Sequence, residues 1–416
     1  MSQGRNPSGK ARYDAVVRKW IGLLLAAASG LSAADLSPAQ WREDIAYLAR
    51  ELPARHKNLF FHLSKAEFDR QVSRLSEAAG STTDAEMRAG LARLVASVGD
   101  LHTSIQAFDS SKSFGLGFFE YPDGIYCSSA RVELAEAMSA KVISVDGVAV
   151  EKVMEQLRRF VPHENDMVVL ALAAPMLGRP GALLAAGVPL KDSAADFEMQ
   201  RGGRTFVVHA TVPASASRDT RRAPLDGAFP TPLYQSDRVS RYWFRFLDAG
   251  RTLYIQYNVC VNDPAKPFGK FSEEVAHTIG ERHPTRIVVD LRHNGGGDSR
   301  VIGPLVAVLK SQRGARVFTI IGRGTMSSAF MAARDLKHQA HATLVGEPTG
   351  QKPNSYGELQ TFELPNSRLT VNYSTKYFAL ADRGDPPSYA PDQVIAMSAA
   401  DLQAGRDPVM DWIERQ

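Results

Sequence analysis

The 416-residue sequence predicts a multidomain α/β protein, with a helical segment first, a β-rich middle and an α/β core on a largely parallel sheet last. Three observations predict it. The length exceeds what one core usually serves. Apolar residues recur at helical spacing up to about residue 106, and short strand-like runs with turn signals follow. Beyond residue 250, buried-strand and helix patterns alternate as crossover units do.

The elements follow in order. Arg5, Lys10, Arg12, Arg18 and Lys19 lead into "WIGLLLAAASGLSAA", which is too short to span a bilayer but suits a signal-peptide core cut after Ala34. Export is therefore expected, and a stable membrane span is not. "SPAQWREDIAYLARELPARH" starts a helix at Ser37-Pro38, and Trp41, Ile45, Leu48 and Leu52 mark its apolar face. Two more helices are expected, one capped by Ser64 and ending at Gly80, the other starting near Thr83 or Asp84 and ending near Gly99. His102 falls in the short loop just past that end.

In the middle, Asp146-Gly147 and Gly202-Gly203 signal hairpins, and "EKVMEQLRRFV" is a short amphipathic helix. The Ser-, Arg- and Pro-rich stretch that follows predicts a linker. In the core, "TLYIQYNVC", "RIVVDLR", "RVFTIIG" and "ATLVGE" predict strands, with helices between them.

Composition is that of an ordinary globular protein, at 44% apolar and 23% charged with a net charge of +4. No stripe of basic residues interleaved with aromatics occurs, which excludes nucleic acid as the expected partner. Cys127 and Cys260 lie too far apart for a CxxC motif; they either pair or stay buried as small apolar groups.

Two loops carry the chemistry. "DLRHNGGGD", residues 290–298, lets backbone N–H groups approach a ligand. The chain lacks GxxxxGK[ST], and no GxGxxG opens the helix, so a nucleotide site is not expected. "GTMSSA", residues 324–329, places two serines between a strand and a helix. A serine there is a helix cap or an exposed nucleophile; the GxSxG elbow is absent.

Together "VVDLRHNGGG", "GRGTMSSA" and "ATLVGEPTG" resemble, in order and spacing, the S41 serine peptidases, the tail-specific or C-terminal processing family. The resemblance covers residues 250–395 best. It implies a ClpP/crotonase-like core at 251–416, a linker at 216–250, a PDZ-like domain at 108–215 and a helical segment at 35–107, after a signal peptide at 1–34. It implies a serine-type endopeptidase acting on peptide or protein substrates, without metal or cofactor. The other class is a catalytically silent ligand- or peptide-binding protein on the same fold.

The motif places the nucleophile at Ser327, with oxyanion donors from Ser328 and the Gly295, Gly296 and Gly297 turn. Two bases stay open. Lys352 lies 25 residues after Ser327, as in the Ser-Lys branch, but Pro353 and Tyr356 break that branch's context. His102 in "VGDLHTSI" matches the tricorn-like branch, which the sequence resembles more closely. Histidine needs no large pKa shift to act near neutral pH. Asp385, six residues before Pro391-Asp392, is the expected orienting acid, with Asp100 its competitor. The GLGF string, Gly115, Leu116, Gly117 and Phe118, matches the loop with which PDZ domains bind a peptide carboxylate.

Overall fold

The computed structural model describes residues 36–213 and 231–416. The predicted leader and part of the predicted linker lie outside them. Three helices come first: α1 (Pro38–Arg55), α2 (Lys65–Ala78) and α3 (Asp84–Ala96). The Ser64 hydroxyl caps α2 by accepting the Glu67 N–H, and Thr83 and Glu86 form a capping box on α3. Gly99 then turns the chain at φ +79°, and a Cβ there would meet the His62 ring at 2.9 Å.

Next come β1 (Ser104–Ile105), β2 (Leu116–Tyr121), β3 (Gly124–Ala130), β4 (Lys141–Val145), β5 (Val148–Ala149), α4 (Val150–Arg158), α5 (Asp166–Leu172), α6 (Pro180–Ala185), β6 (Ala194–Arg201) and β7 (Arg204–Thr211). Strands β2-β3-β4-β6-β7 form an antiparallel sheet, and β5 pairs with β4. Both expected hairpins form. Asp146 and Gly147 take φ +47° and +77°, and Gly202 and Gly203 take +57° and +77°, the left-handed pairs a two-residue hairpin turn needs.

The last part holds β8 (Tyr242–Leu247), β9 (Thr252–Tyr257), α7 (Phe268–Arg282), β10 (Arg286–Asp290), α8 (Gly303–Lys310), β11 (Arg316–Ile321), α9 (Ser328–Ala340), β12 (Thr343–Gly346), β13 (Asn354–Glu363), β14 (Thr370–Ala379), β15 (Gln393–Val394), α10 (Ala399–Ala404) and α11 (Pro408–Glu414). The core sheet runs β15-β12-β11-β10-β9-β8, and every pair in it is parallel except β8-β9. Strand β8 falls inside the stretch expected as linker. Its aromatic residues (Tyr242, Trp243, Phe244 and Phe246) pack on the sheet, which is why it pairs rather than wanders.

The core sheet is covered on both faces, as a parallel sheet must be. Leu253, Ile255, Ile287 and Val289 pack with Phe268, Phe271, Leu305 and Phe330 from α7, α8 and α9. The alternate residues Tyr254, Val288, Phe318 and Ile320 pack with Val409, Met410 and Ile413 from α11. A third sheet, β1-β14-β13, is where the N-terminal segment meets the core: Ser104 pairs with Asn372 and Ile105 with Val371. The β13–β14 hairpin was not expected from the sequence; its first strand starts at Asn354, directly after Pro353. Cys127 and Cys260 are free and buried. No helix among the described residues is long and apolar enough to cross a membrane.

Candidate active site

The two signal loops leave the carboxyl ends of neighbouring parallel strands, since Asp290 at the end of β10 sits beside Ile320 near the end of β11. Hydrogen bonds lock them together. The Thr325 hydroxyl donates to the Leu291 carbonyl (2.9 Å) and accepts the Gly322 N–H (3.0 Å), while the Met326 N–H reaches the Asn294 carbonyl at 3.2 Å. The buried threonine thus holds the turn from inside.

Ser327 pivots on this frame. Its backbone takes φ +53° and ψ −129°, a conformation non-glycine residues rarely adopt. Its side chain does not cap α9. Its N–H goes instead to the Gln351 side-chain oxygen, and Gln351 is braced by Ser355 at 2.8 Å. The helix-cap reading of Ser327 therefore fails, because its hydroxyl makes no capping hydrogen bond to α9. Ser328 differs: its hydroxyl is spent on the Gly297 carbonyl at 2.7 Å.

Gly296 lies directly against the serine. A Cβ there would fall 2.6 Å from Ser327 Cβ and 3.0 Å from the Ser328 nitrogen, at a glycine φ of +109°. The Gly296 N–H is already given to Asn294 Oδ1 at 2.9 Å, so it is no oxyanion donor. No described residue takes the N–H of Gly295, Gly297 or Ser328.

The histidine side is built on Asp100, which is fully buried. Asp100 Oδ2 accepts from His56 Nε2 (3.0 Å), Thr103 Oγ1 (2.5 Å) and Ser374 Oγ (2.7 Å), and Oδ1 accepts the His102 N–H at 3.0 Å. Burial alone would raise this carboxyl, but those hydrogen bonds outweigh it and hold it below its ordinary value. The His102 ring is largely buried, which lowers its pKa, while Asp100 and a backbone hydrogen bond at Tyr356 act the other way. Its Nδ1 is buried without a hydrogen-bond partner, 4.0 Å from Asp100 Oδ1.

Glu164, which the sequence reading passed over, lies between the two halves. One oxygen accepts the Leu101 N–H at 3.4 Å and the other the Lys352 N–H at 3.2 Å. Burial first, and the charge of Asp100 second, push its carboxyl up to about 8. A ring nitrogen of His102 and oxygens of Asp100 and Glu164 lie within 4.8 Å of one another, the grouping of donors among the described residues that could hold a cation. No motif marks Glu164 in sequence; the Asn165 cap of α5 was the nearest readable signal. His56, Gln351 and Ser355 were missed for the same reason.

Lys352 and Asp385 meet each other rather than His102. The Lys352 amine donates to Asp385 Oδ2 at 2.7 Å, and the Asp385 side chain is 59% exposed. The amine holds Asp385 below the usual carboxylate range. A lysine base needs the opposite, an apolar pocket without a carboxylate on its amine. An orienting acid needs contact with the ring, which Asp385 lacks. No hydrogen bond joins Ser327 Oγ to His102 among the described residues; the link runs from Ser327 through Gln351 to the Lys352 N–H and Glu164.

The GLGF residues are not an open carboxylate cradle. The Gly115 N–H is taken by Ser113 Oγ at 3.1 Å, and Leu116 to Phe118 are paired in β2. Gly178 packs so close to Leu116 that a Cβ on it would be 2.3 Å from the Leu116 carbonyl oxygen. Gly117 and Phe118 instead help line a cavity of about 370 Å³ between this sheet and the core, which reaches Gly295 and Met326 beside Ser327.

No family model and no curated protein matches the chain. Solved structures do. A CPAF mutant aligns at TM-score 0.66 and 12% identity, covering 91% of this chain and 96% of its own. Mature CPAF complexed with lactacystin aligns at 0.64 and 12%, covering 91% and 97%. The photosystem II D1 C-terminal processing protease aligns at 0.44 and 13%, covering 89% and 98%. Helical segment, antiparallel sheet and α/β core together, the chain has the fold of CPAF.

Proposed function

We propose that this chain is an S41-type serine peptidase that hydrolyses peptide bonds through an acyl-enzyme on Ser327. One observation carries the reading: the strained Ser327 turn, whose hydroxyl is spent on no neighbour, set against Gly296. Strain of this kind persists where the surroundings over-determine it, and it clusters at functional sites. Ser327 Oγ attacks the carbonyl of a peptide whose neighbouring side chain enters the cavity by Met326. The N–H groups of Ser328 and of Gly295 or Gly297 receive the oxyanion. His102 takes the serine proton and returns it to the leaving amine, and water then releases the acyl group. The likeness in fold to CPAF and the motif order support this class of chemistry. Export, PDZ-like character for residues 108–215 and the domain boundaries drawn from the sequence belong to the same proposal.

A fluorophosphonate probe tests it. Labelling of the wild type and of Ser328→Ala, with none in Ser327→Ala, is the expected result. An unlabelled wild type that binds an apolar ligand tightly would make the chain a silent binding protein on this fold.

A further inference from the structure

A backbone at φ +53° and ψ −129° relaxes unless its surroundings hold it, so something outside the Ser327 turn has to pin it. The pin is at the Ser327 N–H, whose partner is the side-chain oxygen of Gln351, 24 residues on. Gln351 is buried and is itself fixed at both ends. Its Nε2 donates to Ser355 Oγ at 2.8 Å, and its backbone carbonyl accepts the Thr349 hydroxyl at 2.8 Å. That hydroxyl in turn accepts the Tyr389 N–H at 2.9 Å.

Ser355 is the link to the base. Residues 355 to 357 pair in step with residues 378 to 376 of β14, so Ser355 and Gly357 share one face of β13. His102 lies over that face, since a Cβ on Gly357 would be 3.9 Å from His102 Cε1. The Tyr356 carbonyl, between the two, accepts from the ring. Asp100, which accepts the His102 N–H, is bonded by Ser374 of β14. The base is therefore seated on the β13–β14 hairpin, and Gln351 fastens the serine to the same strand.

We propose that Gln351 is the positioning residue that sets Ser327 against His102: its oxygen pins the Ser327 turn, and its Nε2, through Ser355, ties that turn to the strand on which the base rests. The inference rests on the peptidase reading. Gln351 touches the backbone of the nucleophile and no reacting atom, so it moves no proton. Without its amide the turn relaxes, and the Ser327 hydroxyl shifts relative to His102 and to the Ser328 N–H. A shift of about 1 Å in a reacting group costs roughly a hundredfold. The loss falls on kcat rather than KM, because the alignment that is lost serves the transition state and not the binding of the peptide.

Two measurements test this. The first compares Gln351→Met, which fills the same space without either hydrogen bond, with Gln351→Glu, which keeps an acceptor for the Ser327 N–H. Both are read by fluorophosphonate labelling and by steady-state hydrolysis of one peptide. Gln351→Met should label and turn over roughly a hundredfold more slowly with KM within about twofold of wild type, and Gln351→Glu should recover about tenfold of that loss. A folded Gln351→Met protein with wild-type kcat overturns the proposal, as does a loss confined to KM or one that Gln351→Glu repeats in full. The second measurement is hydrogen exchange of the Ser327 amide, followed by NMR. Slow exchange in the wild type and fast exchange in Gln351→Met are expected, and an unprotected Ser327 amide in the wild type overturns the proposal without any variant. If the wild type never labels, the peptidase reading falls by itself, and the exchange result still reports whether Gln351 holds the turn.

Discussion

At the scale of single residues, the site depends on what each side chain is already bonded to. Ser327 and Ser328 are adjacent and chemically alike, yet one hydroxyl is spent on Gly297 and the other is not. His102 and Lys352 are separated by the same logic. The Lys352 amine has an exposed carboxylate for company, and such a surface pair contributes little. Lys352→Ala is therefore expected to keep peptide hydrolysis within about threefold of wild type, because its backbone N–H to Glu164 is retained; His102→Ala should lose at least about a hundredfold. Steady-state rates on one peptide compare them, and the opposite order would return the base to lysine. Gly296→Ala should fold but lose roughly a hundredfold or more in kcat/KM, since the added Cβ displaces Ser327 and the Ser328 N–H together. Wild-type kinetics in that variant would mean the contact is not part of the site.

At the scale of elements, strand pairing brings His102 to the core. Helix α3 ends, Asp100 makes its four hydrogen bonds, and β1 pairs with β14 four residues after Asp100. The far end of the β13–β14 hairpin is held by α1. Asp44, fully buried on that helix, accepts the backbone N–H groups of Asn366 and Ser367, each at 2.8 Å. Asp44→Ala leaves those donors without their partner, at a cost of roughly 2–4 kcal/mol. Urea unfolding reads this as a lower midpoint at unchanged slope, and an unchanged midpoint would show the hairpin tip to be held by packing alone. The hairpin was not legible in sequence. "QKPNSYG" reads as a loop because Pro353 and Asn354 are turn formers, while its pairing partner β14 starts sixteen residues beyond Asn354.

At the scale of the whole molecule, Arg323 joins the antiparallel sheet to the core. Its guanidinium pairs with Glu347, donates to the Glu120 carbonyl at 2.8 Å, and lies 4.5 Å over the Phe119 ring. Arg323→Ala should loosen β2 and β3 while leaving β9 to β11 protected, because the core sheet keeps its own cover on both faces. Hydrogen exchange resolved by peptide distinguishes these regions; equal protection in β2 would show that the cavity walls hold the sheet unaided. Lining the same cavity as Arg323, buried Arg292 makes a two-bond pair with Asp407 and a further contact with Asp290, fixing α11 to the sheet. Asp407→Ala strands that charge and should cost about 3–5 kcal/mol, measured by thermal or urea unfolding.

The sequence by itself determined the local and periodic features. Helix caps at Ser64 and Thr83, the two left-handed hairpin turns and the alternation of buried strands and helices follow from a few neighbouring residues each. So does the placement of both glycine- and serine-bearing loops at strand ends, because parallel strands leave their loops on one edge. Tertiary structure alone decided which groups meet. Lys352 with Asp385, His102 with Asp100, and Glu164 between the two turns are contacts across 33 to 188 residues in all but one case, and no local pattern records them. Burial decided the rest. A carboxyl such as Glu164 reads in sequence as one more surface acid, and only the fold, by taking it out of water beside Asp100, raises its proton affinity.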